Sequence, residues 1–416
     1  MITLYFANLF IAPQLWIGPF MGLPTDYIIL PIWILIVSLQ GRLLELFRFR
    51  AADWFFVVML VWIVFSVIFN PRNDKSFSLI ADYIKFFLLY RLFVVSIPTL
   101  LHLRRVMWIL LAFVLLLTVE GISHKLNPAG VGWAGQTLGW VDPSVLAAGG
   151  TGRTRWINVF DGPGVFCVVY TIGLPIVLVL LGPPYGVLTR MIGFILVGPL
   201  LLATYYTGSR GGFIAAMAII GLYLLFRLKI SFARVGIVSA LITVAFMVAP
   251  SNLTSIKDQN NSAQNRVDMW AQGVEMVTHN PVFGIGKGNY RNYTSRLIAH
   301  NSAIEIMGET GLPGLFLWFA LIYLSLKALF LSRAGPYNDI DKAYSTALIL
   351  IIVGYVVSSM FVTLEYETLY LLLGLCGVVE KNLVQPIRLT LGEFQILGGV
   401  TVGWVLLVKI FAMSYF

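Results

Sequence analysis

Thirteen apolar runs recur along this chain of 416 residues, most of them about 15 to 22 residues long, and they leave few folds open. They fall at roughly 3–20, 26–41, 53–69, 77–97, 105–123, 162–182, 188–207, 211–227, 232–249, 312–332, 343–363, 367–380 and 391–412, the run at 367–380 being the shortest. A helix of such length crosses the hydrocarbon of a bilayer. None of the runs alternates polar with apolar residues, as a strand of a closed barrel would. In lipid only helices and closed barrels satisfy their own backbone groups. The expectation is therefore an all-α polytopic membrane protein of about 12–13 transmembrane helices. Charged residues make up 11% of the chain, against about 25% in soluble domains, and mean hydropathy is +0.87. The first run has neither a basic segment before it nor a small-residue cleavage site after it, so it reads as a membrane helix and not a removed leader.

Orientation follows from Lys and Arg in the short loops. Arg42, Arg48, Arg50, Arg104, Arg105, Arg190, Arg227, Lys229, Arg234, Arg333, Lys342, Lys381 and Arg388 all fall on one side if the N-terminus is cytoplasmic. This loop bias accounts for the net charge of +9 without a nucleic-acid partner. Five segments result: N-terminal helices over 1–123, an external loop over 124–161, helices over 162–249 with an external Ser-Arg-Gly-Gly turn, a large external loop over 250–311, and C-terminal helices over 312–416. Cys167 and Cys376 lie inside apolar runs and offer neither a disulfide nor a metal-ligand spacing.

The long loop carries most of the chemistry-bearing residues. Gln264 to Thr278 has helical apolar spacing at Val267, Trp270, Ala271, Val274 and Val277. Asn265 would cap that helix and place Arg266 in its first turn, where a cation opposes the helix dipole. Asn280-Pro281 stops it, and Phe283-Gly284-Ile285-Gly286-Lys287-Gly288-Asn289-Tyr290 forms a tight turn that is neither a dinucleotide fingerprint nor a Walker loop. His300-Asn301 would then open a short helix ending at Gly311. The dipole there would lower the His300 pKa and favour the proton-accepting form. Glu305 and Glu309 are four apart and share a face. In the other external turn, Ser209 caps a helix opened by Gly211-Gly212, with Arg210 beside its N-terminus as a ready anion site. Asp82, Lys85 and Arg91 stand at membrane depth, where ionisable groups are functional candidates by default. Their plainer reading is an Asp82–Lys85 pair and an Arg91 that snorkels to the headgroups. No run of metal ligands is present, so neither a metal nor another cofactor is expected.

The order Ser209-Arg210-Gly211-Gly212, Arg266 and Trp270, Asn280-Pro281-Val282-Phe283-Gly284-Ile285-Gly286, His300-Asn301, and Glu309-Thr310-Gly311-Leu312-Pro313-Gly314-Leu315 resembles the O-antigen ligase and polysaccharide polymerase superfamily of bacterial membrane glycosyltransferases. The likeness covers roughly 205–320. Many members carry an Asn-Pro-Asn-like element before the sixth run, where this chain has Asn158-Val159-Phe160-Asp161-Gly162-Pro163-Gly164. The resemblance implies a GT-C-like enzyme of the bacterial inner membrane with a periplasmic active site. It implies a glycan donor on undecaprenyl diphosphate and metal-independent transfer with inversion. By the same resemblance Arg210 and Arg266 stabilise the departing diphosphate and His300 orients or deprotonates the acceptor hydroxyl. Ser209, Gly211, Gly212, Trp270, Lys287, Tyr290, Asn301, Glu305 and Glu309 are the remaining candidates for binding substrate. The acceptor is a lipid-linked repeat unit for a polymerase or lipid A–core for a ligase, and a chain-length regulator is a possible partner beside membrane lipids. Over 250–311 the basic residues (Lys257, Arg266, Lys287, Arg291, Arg296) equal the acidic ones (Asp258, Asp268, Glu275, Glu305, Glu309). That balance favours polymerase over a ligase built for a phosphate-rich acceptor. The competing class is a lipid-linked oligosaccharide flippase, which would show paired broken helices in matching halves.

Overall fold

The computed structural model describes residues 1–71, 76–139, 152–227, 256–294 and 297–413. Among them the secondary structure is helical, and the extended pairing is limited to two isolated bridges, Val131–Thr137 and Gly139–Arg153. The helices are α1 (Ile2–Phe6), α2 (Thr25–Leu39), α3 (Ala51–Ile68), α4 (Ser76–Ser96), α5 (Leu100–Leu126), α6 (Pro163–Leu180), α7 (Val187–Tyr206), α8 (Arg210–Arg227), α9 (Ile256–His279), α10 (Tyr290–Tyr293), α11 (Ser302–Ala334), α12 (Asp339–Ser359), α13 (Glu367–Lys381) and α14 (Leu391–Met413). Eight of these described helices, α3, α5 to α8, α11, α12 and α14, are long and apolar enough to cross a membrane. The protein is a polytopic, all-α membrane protein.

Two apolar runs differ from their expected bounds. Residues 3–20 are not one helix: α1 widens into a π-helical turn at Ala7–Ile11 and ends at Ala12, whose φ of 51° is left-handed. Pro13 and Pro19 then impose short 3₁₀ turns, because proline cannot donate to a continuing helix. The run 343–363 is helical only to Ser359, and 360–366 is loop. The run at 232–249 lies outside the described residues.

The chain divides into two compact units. The first comprises Met1–Leu43, Ser96–Asn252 and Leu329–Ser358. Its central helix is α6, in which every residue from Phe166 to Leu180 is buried. Leu174 and Leu178 of α6 pack with Ala216, Ile219 and Tyr223 of α8 and Leu350 of α12. Small residues set how closely neighbours approach α6. A Cβ on Gly173 would lie 2.4 Å from Val114 of α5, and one on Gly212 would lie 2.0 Å from the Cys167 sulfur.

The second unit comprises Leu44–Val95, Leu253–Ala328 and Ser359–Phe416. Phe56 of α3, Phe86 and Tyr90 of α4 and Tyr370 of α13 form its aromatic core. Two of the ionisable groups of α4 depart from the simple expectation. Lys85 pairs with Glu367 at 3.2 Å and not with Asp82. Arg91 does not snorkel; it is 3% exposed, with Nη1 2.7 Å from Asp53. Its Nε and Nη2 groups reach the carbonyls of Leu46 (3.0 Å), Glu45 (2.6 Å) and Arg48 (3.1 Å). The fork of five N–H donors fits the carbonyls of this turn, which a guanidinium can satisfy without reaching water. Arg91 is thereby committed to the turn before α3.

Candidate functional site

Helix α9 begins at Ile256, earlier than expected, because no Gly or Pro interrupts 256–264. Asn265 is therefore not its cap and Arg266 is not in its first turn; the dipole argument for Arg266 falls away. The apolar face is present, with Val267, Met269, Val274, Met276 and Val277 buried. The helix stops at His279, before Asn280-Pro281.

The glycine turn that follows is a clasp for α11. Gly311 breaks α11 at φ 72°, and Pro313 has no N–H to offer the carbonyl of Glu309. The carbonyls released by that break accept from outside the helix. Gly308 takes the N–H of Ile285 (3.0 Å), and Glu309 takes the N–H of Gly286 (3.0 Å) and the hydroxyl of Ser66 (2.7 Å). Thr310 takes the indole N–H of Trp62 (2.9 Å). Glycine is needed at 284, where φ is 63° and an added Cβ would lie 2.4 Å from the backbone of Glu309.

Lys287 and Tyr290 leave this turn inward. The Lys287 ammonium, 6% exposed, lies 2.8 Å from Glu309 and 2.6 Å from Glu365. Burial disfavours its charge, but the two carboxylates outweigh that and hold it above the ordinary lysine range. Tyr83 donates to the other oxygen of Glu365. The Tyr290 hydroxyl donates to Met269 (2.5 Å), and its N–H to Glu309 (3.1 Å).

His300 sits just ahead of α11, held by its neighbours. Its φ is 51°, an uncommon conformation for a non-glycine residue, which costs of order 1–3 kcal/mol and persists only where the surroundings fix it. The preceding peptide is gripped at both ends. Trp270 of α9 donates to the carbonyl of Ala299 (2.8 Å), and Glu305 of α11 accepts its N–H (2.9 Å). On the other side Asn301 caps α11 by accepting from Ala303 (3.1 Å) and Ile304 (3.3 Å). The 360–366 loop completes the support. Thr363 donates to Glu305 (2.6 Å), the N–H of Leu364 to Ser302 (2.9 Å), and Asn301 to the carbonyl of Met360 (3.3 Å). Burial, then the charges of Arg266 and Arg291, lower the His300 pKa to about 4. The neutral imidazole was expected from the helix dipole; desolvation and two guanidinium groups produce it instead.

In the first unit, Ser209 caps α8 by accepting the N–H of Gly212 (3.1 Å). Gly211 and Gly212 are buried, whereas Arg210 is exposed. Ahead of the cap, Thr207 accepts the N–H of Ser209 (3.2 Å), and Gly208 has a φ of 58°.

Of the candidates read from sequence, Arg266, Trp270, Lys287, Tyr290, His300, Asn301, Glu305 and Glu309 thus belong to the second unit. Ser209, Arg210, Gly211 and Gly212 belong to the first. Arg291 and the loop residues Thr363 and Glu365 were not singled out by sequence. The signal for the loop was Glu365-Tyr366-Glu367, an acidic break between two apolar runs.

Residues 192–319 match the family model described as O-antigen ligase. Over these residues the chain is similar to the O-antigen ligase family. The match contains α8, the glycine clasp, His300 and the kink of α11. It supports membrane glycosyl transfer of the ligase or polymerase type in general. No curated protein matches the chain.

Proposed function

We propose that this protein transfers a glycan from an undecaprenyl-diphosphate carrier to an acceptor sugar hydroxyl, without a metal, at the periplasmic face of the bacterial inner membrane. The observation that carries the reading is His300: a neutral imidazole in fixed, strained backbone, under the charge of Arg266 and Arg291, inside the matched domain. A neutral imidazole can take the proton of an attacking hydroxyl. A departing diphosphate develops negative charge, and guanidinium groups are suited to it. Arg266 and Arg210 are assigned that role, and His300 that of base. Glu305 is a positioning residue, since it holds the peptide before His300.

Polymerisation onto another lipid-linked repeat unit is favoured over ligation to lipid A–core. Lys287, Glu305 and Glu309 are buried, which leaves Arg266 and Arg291 against Asp268 and Glu275 among the side chains described in this segment. Such an even surface is not built for a phosphate-rich acceptor. The purified protein, given lipid-linked glycan, is expected to release carrier diphosphate and yield longer glycan, with or without EDTA. Product on lipid A–core would make it a ligase. Activity lost in EDTA and restored by a divalent ion would overturn the metal-free mechanism, and unchanged glycan with no released carrier diphosphate would overturn the enzyme reading.

The pH dependence should follow His300. With its pKa at about 4, the acid limb of the rate profile is expected near pH 4 and not near 6.5. Arg291→Gln removes one repelling cation, so the imidazolium becomes easier to form and the limb moves to higher pH. A limb that stays in place in Arg291→Gln would detach Arg291 from His300.

A further inference from the structure

The segment that leads into α6 carries two arginines, and among the described residues only one of them is paired. Arg155 donates to Asp161 (3.1 Å) and to the carbonyl of Thr137 (2.9 Å). Arg153 has no ion pair or side-chain hydrogen bond with any described residue, although its backbone is tied down on both sides. It exchanges both hydrogen bonds with Gly139 (2.8 and 3.1 Å), and the next N–H, that of Thr154, is bonded to the carbonyl of Tyr206 at the end of α7 (3.1 Å). This anchoring lays the half-buried Arg153 side chain across Gly208. A Cβ placed on that glycine would be 3.2 Å from the Arg153 Cγ and Nε atoms.

Gly208 immediately precedes the Ser209 cap and Arg210, so the Arg153 side chain lies against the turn that carries Arg210. Arg210 likewise has no ion pair or side-chain hydrogen bond among the described residues, and it is exposed. Burial, and secondarily the charge of Arg210, hold the Arg153 pKa below the ordinary arginine value, so the two cations repel. No described carboxylate pairs with either group. Two cations at one turn, next to the positive end of an 18-residue helix, are stabilised by an anion within reach of both.

We propose that Arg153 is a second phosphate-binding arginine, set beside Arg210 to take the diphosphate of the lipid-linked donor. The identity of the ligand rests on the function proposed above; the two-arginine anion site rests on the geometry of this turn. One guanidinium fork matches one phosphate, and a diphosphate offers two in succession. Arg155, two residues on, is occupied by Asp161 and serves as an internal control.

The test uses the purified full chain in detergent with farnesyl diphosphate as a soluble polyprenyl diphosphate, followed by calorimetry. Arg153→Gln is expected to bind about tenfold more weakly or worse, the loss of one charge-assisted bond, and Arg155→Gln to bind as the wild type does. In the wild type, farnesyl diphosphate should also protect Arg153 from phenylglyoxal, read by peptide mass spectrometry, which does not depend on any variant folding. Equal affinity in Arg153→Gln, or no protection of Arg153, overturns the proposal. Displacement of the probe by phosphatidylglycerol micelles would make the turn a headgroup site and remove the donor from it. Equal affinity in a protein that does transfer glycan sinks the site and keeps the function. Arg153-dependent binding in a protein that transfers nothing sinks the function and keeps the site.

Discussion

Replacing His300 by alanine is expected to cut the turnover of glycan transfer by about 10²–10⁴-fold while the protein still inserts and accumulates as the wild type does. The substitution removes the imidazole without disturbing what holds its peptide, because Trp270 and Glu305 bind the backbone of Ala299 and Asn301 caps α11 with its own side chain. The backbone strain at φ 51° persists with alanine, so any change in stability is small against the change in rate. The separation is what makes the experiment informative. Comparable membrane levels with lost transfer assign the proton to His300. Transfer near the wild-type rate would return His300 to a structural role and move the base to Glu305 or Glu309. Those two are poor substitutes as they stand, since Glu305 already accepts from Ala299 and Thr363, and Glu309 already serves Lys287 and Tyr290. A partial loss in Glu305→Gln, through a lower turnover and an unchanged affinity for donor, would fit its place behind the His300 peptide.

The sequence was legible wherever local rules decide the outcome. Outside 3–20, helix existence in the described runs followed from apolar run length, the stop of α9 from Asn280-Pro281, and the cap of α8 from Ser209 ahead of two glycines. It misled where a rule was applied to a boundary that continuation overrides, as at Asn265, where the helix runs on from Ile256. It was silent where a partner lies far away in the chain. Lys287 and Glu365 are 78 residues apart, and Glu305 and Thr363 are 58 apart, so no spacing could join them. The same holds for Arg91, whose acid is on another helix 38 positions earlier. Membrane-depth charge marked Arg91 as a functional candidate; only the fold shows its four hydrogen bonds to the turn over residues 45–48 and to Asp53. For His300 the sequence supported the right protonation state for the wrong reason, since a dipole can be read from position but the guanidinium groups of Arg266 and Arg291 act from other helices.

Lys287→Met is expected to cause the largest loss of stability in the second unit, about 3–5 kcal/mol, the usual cost of removing one partner from a buried ion pair. Its ammonium neutralises Glu309 and Glu365 together, at 2.8 and 2.6 Å, and all three groups are shielded from water. Without it two carboxylates face one another with, among the described residues, Tyr83 and the N–H of Tyr290 as donors. Glu309 also belongs to the clasp, through the Gly286 and Ser66 bonds to its carbonyl, so repulsion there loosens the kink of α11 as well as the side-chain cluster. The double variant Lys287→Met with Glu365→Gln removes one of the two stranded charges and should recover part of the loss. Melting of the purified protein in detergent decides the matter. A large fall for the single variant, partly restored in the double, establishes Lys287 as the internal counter-ion of this unit and withdraws it from the residues that contact substrate. If Lys287→Met melts with the wild type but binds lipid-linked donor poorly, the ammonium faces substrate in the working enzyme and the buried triad is not its resting place.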